Sequence, residues 1–149
     1  MQFSGEQRFA MPLDAIWSRL SDARFLVDCL TDVTVLRRET DVATWKLKPA
    51  FSFVTGSLDT TLTLSNRQHP VSQIATVFSK GIGATTTVVV RLEFAATDTG
   101  CRVQWQAEIT ALTGLLKAVP KGLIQAAAAK VIADVWAAVA RRLQAESAI

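Results

Sequence analysis

Residues 84–111 run ATTTVVVRLEFAATDTGCRVQWQAEITA, two stretches of period-two alternation on either side of Thr97-Asp98-Thr99-Gly100. In the first stretch Val88, Val90, Leu92 and Phe94 fall on one side, and Arg91 and Glu93 on the other. In the second, Val103, Trp105, Ala107 and Ile109 alternate with Arg102 and Glu108. Two such stretches joined by a short polar turn predict an antiparallel hairpin with one apolar face and one charged face.

The same period extends upstream. Turn signals at Glu39-Thr40-Asp41, Asn66 to Pro70 and Lys80-Gly81-Ile82-Gly83 divide residues 33–111 into strands near 33–38, 42–48, 52–65, 71–79, 84–96 and 101–111. Short turns between successive strands make an antiparallel meander, and strands of this length in one sheet tend to coil. Within 71–79 the phase is open, because Ile74 and Phe78 compete with Ala75 and Val77 for the interior. Residues 2–10 alternate as well, with Phe3, Gly5, Gln7 and Phe9 on one face, and form a first strand.

Two short helices follow that strand. Pro12 suits a first helical turn and Asp14 favours a helix N-terminus, so 12–20 carries Leu13, Ile16, Trp17 and Leu20 on its apolar side. Ser21 or Asp22 caps the next, which turns Phe25, Leu26 and Cys29 inward. Downstream of the meander, residues 115–145 are helical: the Ala126 to Ala129 run has the highest helix propensity, and neither glycine nor proline occurs after Gly122. Leu116, Val119 and Leu123 share one direction, whereas Val131, Ile132, Val135, Val139 and Leu143 form a rotated stripe. Pro120 sits at the change of phase, which predicts a kink or a separate short turn before the main helix.

No crossover helix separates neighbouring strands, so an alternating β/α architecture is excluded. The expected fold is α+β, a curved seven-stranded antiparallel sheet wrapped around the C-terminal helix, in one domain over residues 1–149. The last helix is the only element long enough to cover the apolar face of the sheet. Half of the 149 residues are hydrophobic and 19% are charged, more apolar surface than a minimal core needs. No uninterrupted apolar run approaches the roughly 20 residues of a membrane-spanning helix, and Met1 to Glu6 lacks the regions of a signal peptide, so the chain reads as cytoplasmic. Cys29 and Cys101 are expected as free buried thiols. A net charge of +3 from basic residues spread along the chain disfavours nucleic acid as a partner.

Glu6, Arg8, Lys46, Lys48, Asp59, Arg91, Glu93, Arg102 and Glu108 all fall on the face opposite the apolar one. The interior therefore receives no acid or base of the kind that proton transfer needs, and no catalytic residue is assigned. The single histidine, His69, precedes Pro70 in a turn and reads as a solvated loop residue. There is no G-x-S-x-G or H-E-x-x-H motif and no Cys or His pair at metal spacing, so neither a metal nor a cofactor is expected.

Several local strings resemble the CoxG family of carbon monoxide dehydrogenase proteins, within the helix-grip superfamily of START-like (SRPBCC) and polyketide-cyclase-like domains. They are Gly5, the run Ile16 to Asp22 leading to Cys29-Leu30, the Phe51 to Leu64 segment with Gly56-Ser57-Leu58-Asp59, Gly100 to Trp105, and Thr113 to Lys117 leading into Leu123-Ile124. The resemblance spans nearly the whole chain. It implies a cavity for lipid-like or quinone-like molecules and an accessory role beside molybdenum-containing dehydrogenases, including their association with the membrane.

The leading expectation is non-catalytic binding of a hydrophobic small molecule, with Trp45, Phe53, Leu62, Val90, Trp105 and Val131 as the wall and Phe25 at the mouth. A second is an interaction module: Leu115, Leu116, Lys117, Val119 and Lys121 would form a basic and apolar edge for peripheral contact with a membrane or a partner enzyme. A third, a cyclase-like enzyme, requires an inward acid or base such as Glu6, Asp59 or Glu108. Monomer and homodimer are both compatible with the apolar girth of the last helix.

Overall fold

The computed structural model describes residues 1–48 and 56–147. The elements follow in the order β1 (Gln2–Phe9), α1 (Leu13–Leu20), α2 (Ala23–Asp28), β2 (Thr34–Arg38), β3 (Val42–Leu47), β4 (Leu58–Gln68), β5 (Ser72–Gly81), β6 (Ala84–Thr97), β7 (Gly100–Gly114), a 3-10 turn (Leu115–Ala118) and α3 (Lys121–Ser147). The strands make one antiparallel sheet in the order β1-β7-β6-β5-β4-β3-β2, a meander whose last strand is joined by the first.

Pairing resolves the open phase of β5. Leu62 lies opposite Val77, Leu64 opposite Ala75, and Val77 in turn opposite Val88, so Gln73, Ala75 and Val77 face inward. Ile74 and Phe78 take the other face, where Phe78 is 41% exposed.

The short helices close one end of the sheet. Asp22 caps α2 by accepting the Arg24 backbone N–H at 2.9 Å, satisfying one of the amides that a helix start leaves unbonded. Ile16, Trp17 and Leu20 of α1 join Phe94, Cys101, Val103, Val139 and Leu143 in the main core cluster. Gln73, itself buried, donates from Nε2 to the Leu20 carbonyl at 2.7 Å and ties the end of α1 to β5. A second cluster gathers Ala23, Val27, Ala43, Trp45, Leu62, Leu64 and Ala75. A third, at the far end, holds Ala84, Leu116 and Ile124.

The separate turn expected before the main helix is present. Val119 is extended (φ −79°, ψ 133°), the conformation favoured before proline, and α3 starts immediately after Pro120. Within Lys121–Glu146 of α3 an 18-residue window reaches a mean hydropathy of 1.6, which by length and composition is enough to cross a membrane. Here α3 packs through Ile124, Val139 and Leu143 as the covering helix of the domain.

Candidate binding site

The inner face of the sheet is apolar by alternation. Phe3, Phe9, Trp45, Leu62, Val90, Leu92, Phe94, Val103, Trp105 and Ala107 lie on it, and the registers place Glu6, Asp59 and Glu108 on the opposite face, all three exposed. The enzymatic reading needed one of those carboxylates inside.

How α3 covers this face makes the site. Ile124 at one end and Val139 with Leu143 at the other are buried, but no residue between Ile124 and Val139 is. On the inner face of the sheet Val77, Val88, Val90 and Ile109 are only half-buried. Between its two buried ends α3 touches the main cluster through half-buried Val135, Trp136 and Ala138, while Ala127 and Ala128 present only short side chains. This half-buried apolar strip is the candidate cleft.

The expected wall and mouth residues are distributed unevenly around it. Trp45 and Leu62 are buried side by side in the second cluster, and Val90 packs between that cluster and the main one. Trp105 is half-buried, its ring tilted against Trp136 of α3 at a centroid distance of 6.3 Å. The indole crosses over Gly5: a Cβ there would lie 2.6 Å from Trp105 Cζ2, so only glycine admits the ring in this position. Phe53 falls outside the described residues.

Two placements differ from the sequence reading. Val131 is 45% exposed. At about 100° per residue it stands roughly 80° from Val139 around the helix, on the flank of the stripe and not at its centre. Phe25 is not at a rim but in the main core, and the Arg142 guanidinium lies 5.9 Å from its ring centroid. Arg142 also donates to the Asp28 carbonyl at 3.1 Å, bringing the end of α3 onto α2. Around this junction the hydrogen bond from Arg38 holds the Asp28 carboxyl below its ordinary range, while burial pushes the Cys29 thiol up to about 11. Cys101 is raised by burial as well, and both cysteines are free and buried, as expected.

Trp136, Gln73, Ser79 and Thr86 line the same face and were not singled out from the sequence. Trp136 lies on the rotated stripe and Thr86 is in phase with Val88 and Val90, whereas Gln73 and Ser79 depended on the phase of β5. His69 is exposed, edge-on to Trp17 at 5.4 Å, with Nε2 3.7 Å from Asp14 Oδ1. On the outer face a half-open groove of about 390 Å³ is lined by Ser4, Glu6, Arg91, Glu93, Gln104 and Gln106, with Gly5 and Trp105 at its floor. Glu6 there pairs with Arg8 at 2.8 Å, so its charge is already met.

The family model for CoxG, a component of carbon monoxide dehydrogenase, matches residues 5–144. No curated protein matches the sequence. Among solved structures, a conserved protein from Geobacillus kaustophilus superposes with a TM-score of 0.82 at 14% identity, over 97% of this chain and 95% of that one. A START superfamily protein from Mycobacterium smegmatis gives 0.67 at 12% identity, over 96% and 97%. At these identities the likeness establishes a START-like, helix-grip fold.

Proposed function

Since the chain belongs to the CoxG family of carbon monoxide dehydrogenase proteins, we propose that it binds and carries a hydrophobic small molecule, lipid-like or quinone-like, without catalysing a reaction on it. In this reading it serves a molybdenum-containing dehydrogenase in the cytoplasm, at the inner face of the membrane. One observation carries the proposal: Val77, Val88, Val90 and Ile109 are only half-buried, on a sheet face whose registered positions in β4 to β7 are uncharged. Apolar surface that folding leaves wet gains roughly 25 cal/mol for each Å² that a ligand removes from water, and shape with burial is the recognition available there.

Native mass spectrometry of the protein purified from its own cytoplasm, followed by solvent extraction, tests this. A retained lipid or quinone supports the carrier reading and identifies the cargo. An apo mass unshifted by a panel of quinones and fatty acids refutes it.

A second reading has its own observation. Leu115 is 66% exposed and Leu123 51%, and Lys117 and Lys121 beside them are exposed too. That basic and apolar tip fits an anionic membrane surface or a partner enzyme, although Leu116, expected to share it, is buried in the third core cluster. Replacing Leu115 and Leu123 by Asp would abolish sedimentation with anionic vesicles if the tip docks there; unchanged sedimentation counts against it.

A further inference from the structure

The inner face carries one polar row. Trp45 of β3 lies opposite Thr60 of β4, Thr60 opposite Ser79 of β5, and Ser79 opposite Thr86 of β6. The next inward row is apolar: Leu62, Val77, Val88 and Ile109. Three hydroxyls and an indole are thus set beside the wall of the cleft.

One donor of this row has no partner. Thr60 Oγ1 and Ser79 Oγ lie 2.9 Å apart, so one hydroxyl donates to the other and the second proton of the pair is left to find an acceptor elsewhere. Thr60 is 1% exposed, which denies it bulk water. Trp45 Nε1 is fully buried with no hydrogen-bond partner, and an indole N–H can only donate. A buried donor without an acceptor is costly, and the indole of Trp45 is left in that state.

What corrects this is an oxygen acceptor. It must also be neutral. Among the described residues the cation registered on the inner face, Arg38 opposite Ala43, is already paired with Asp28, and a carboxylate buried without a counter-charge would lose far more hydration than two or three hydrogen bonds return.

Resting on the carrier reading, we propose that Trp45, Thr60 and Ser79 form the polar subsite of the cleft, selecting an apolar molecule that carries a neutral carbonyl-type oxygen. The acceptor takes the Trp45 N–H and the free hydroxyl proton, while the apolar body extends along Val77 and Val88. A free fatty acid of the same length is discriminated against in its ionised form.

The experiment is displacement of Nile red from the intact protein at pH 8 by tridecane, 2-tridecanone and dodecanoate, in the wild type and in Trp45→Phe and Thr60→Val. The ketone is expected to bind at least tenfold more tightly than dodecanoate. Each substitution is expected to weaken the ketone about fivefold relative to tridecane measured on the same variant, the loss of one hydrogen bond. Thr60→Val is isosteric, and circular dichroism of both variants confirms folding, so failure of the tryptophan variant to fold leaves the valine variant decisive. If dodecanoate binds as well as the ketone, or the folded variants bind the ketone like the wild type, the polar subsite is overturned while the carrier reading stands. If none of the three ligands displaces the dye, the carrier reading falls and the subsite with it.

Discussion

Replacing Gly5 by alanine puts a methyl carbon 2.6 Å from Trp105 Cζ2 and 2.8 Å from Cε2, where carbon atoms normally rest about 3.5–4.0 Å apart. The backbone at residue 5 has little room to retreat, because β1 is paired with β7 along its whole length and Gly5 lies directly opposite Trp105. The indole must therefore move by about 1 Å, against Trp136 and the main core cluster. Overpacking of this kind costs about 1–3 kcal/mol, from which the lower entropy of an unfolded chain with alanine recovers about 0.4–1 kcal/mol. The net is about 1–2 kcal/mol, or about 3–8 °C in Tm for a chain of this size. Thermal and urea melts followed by circular dichroism measure it. The companion experiment repeats Gly5→Ala in a Trp105→Leu background, where the ring is gone and the methyl should cost nothing. A Tm for Gly5→Ala at or above that of the wild type, or an equal loss in both backgrounds, would refute the argument.

Burial raises the Cys29 thiol from its ordinary 9.0 to about 11. Because the folded value exceeds the unfolded one, its contribution to stability is complete below pH 9 and is lost as pH rises from 9 to 11. The urea midpoint of the wild type should fall more steeply over that window than that of Cys29→Ala, and native protein at pH 8 should resist iodoacetamide until denatured; parallel slopes or rapid native labelling would contradict this. Gln73→Met removes the amide that bonds the Leu20 carbonyl, but also a buried Oε1 that has no partner. The expected loss is therefore at the low end for a buried hydrogen bond, about 1 kcal/mol by urea denaturation, and an unchanged midpoint would show that the tie between α1 and β5 contributes nothing.

Where alternation was strict, the sequence was enough to orient side chains. Arg91 and Glu93 between Val90, Leu92 and Phe94 permit only one face for β6, and the structure keeps it. β5 was not legible because Ile74 and Phe78 are as apolar as Ala75 and Val77, so only pairing with Leu62 and Leu64 decides. The hydroxyl row was hidden for the same reason: Ser79, the partner of Thr60, lies on the strand whose phase was open. The stripe on the last helix gave its direction correctly through Val139 and Leu143, yet periodicity carries no information about distance from the sheet. That is why Val131 was expected in the wall. Phe25 depended on where the end of α3 lies, a tertiary fact that no local pattern records.

The joint at Val119 and Pro120 connects β7 and its 3-10 turn to α3 through one extended residue and one ring with a locked φ. Few torsions remain there through which the helix could settle lower onto the sheet. The seat of α3 is thereby set by covalent geometry at one end and by the burial of Leu143 at the other. If the domain carries a guest as proposed, that guest would meet a helix already held in place, and could leave without the domain having to collapse behind it.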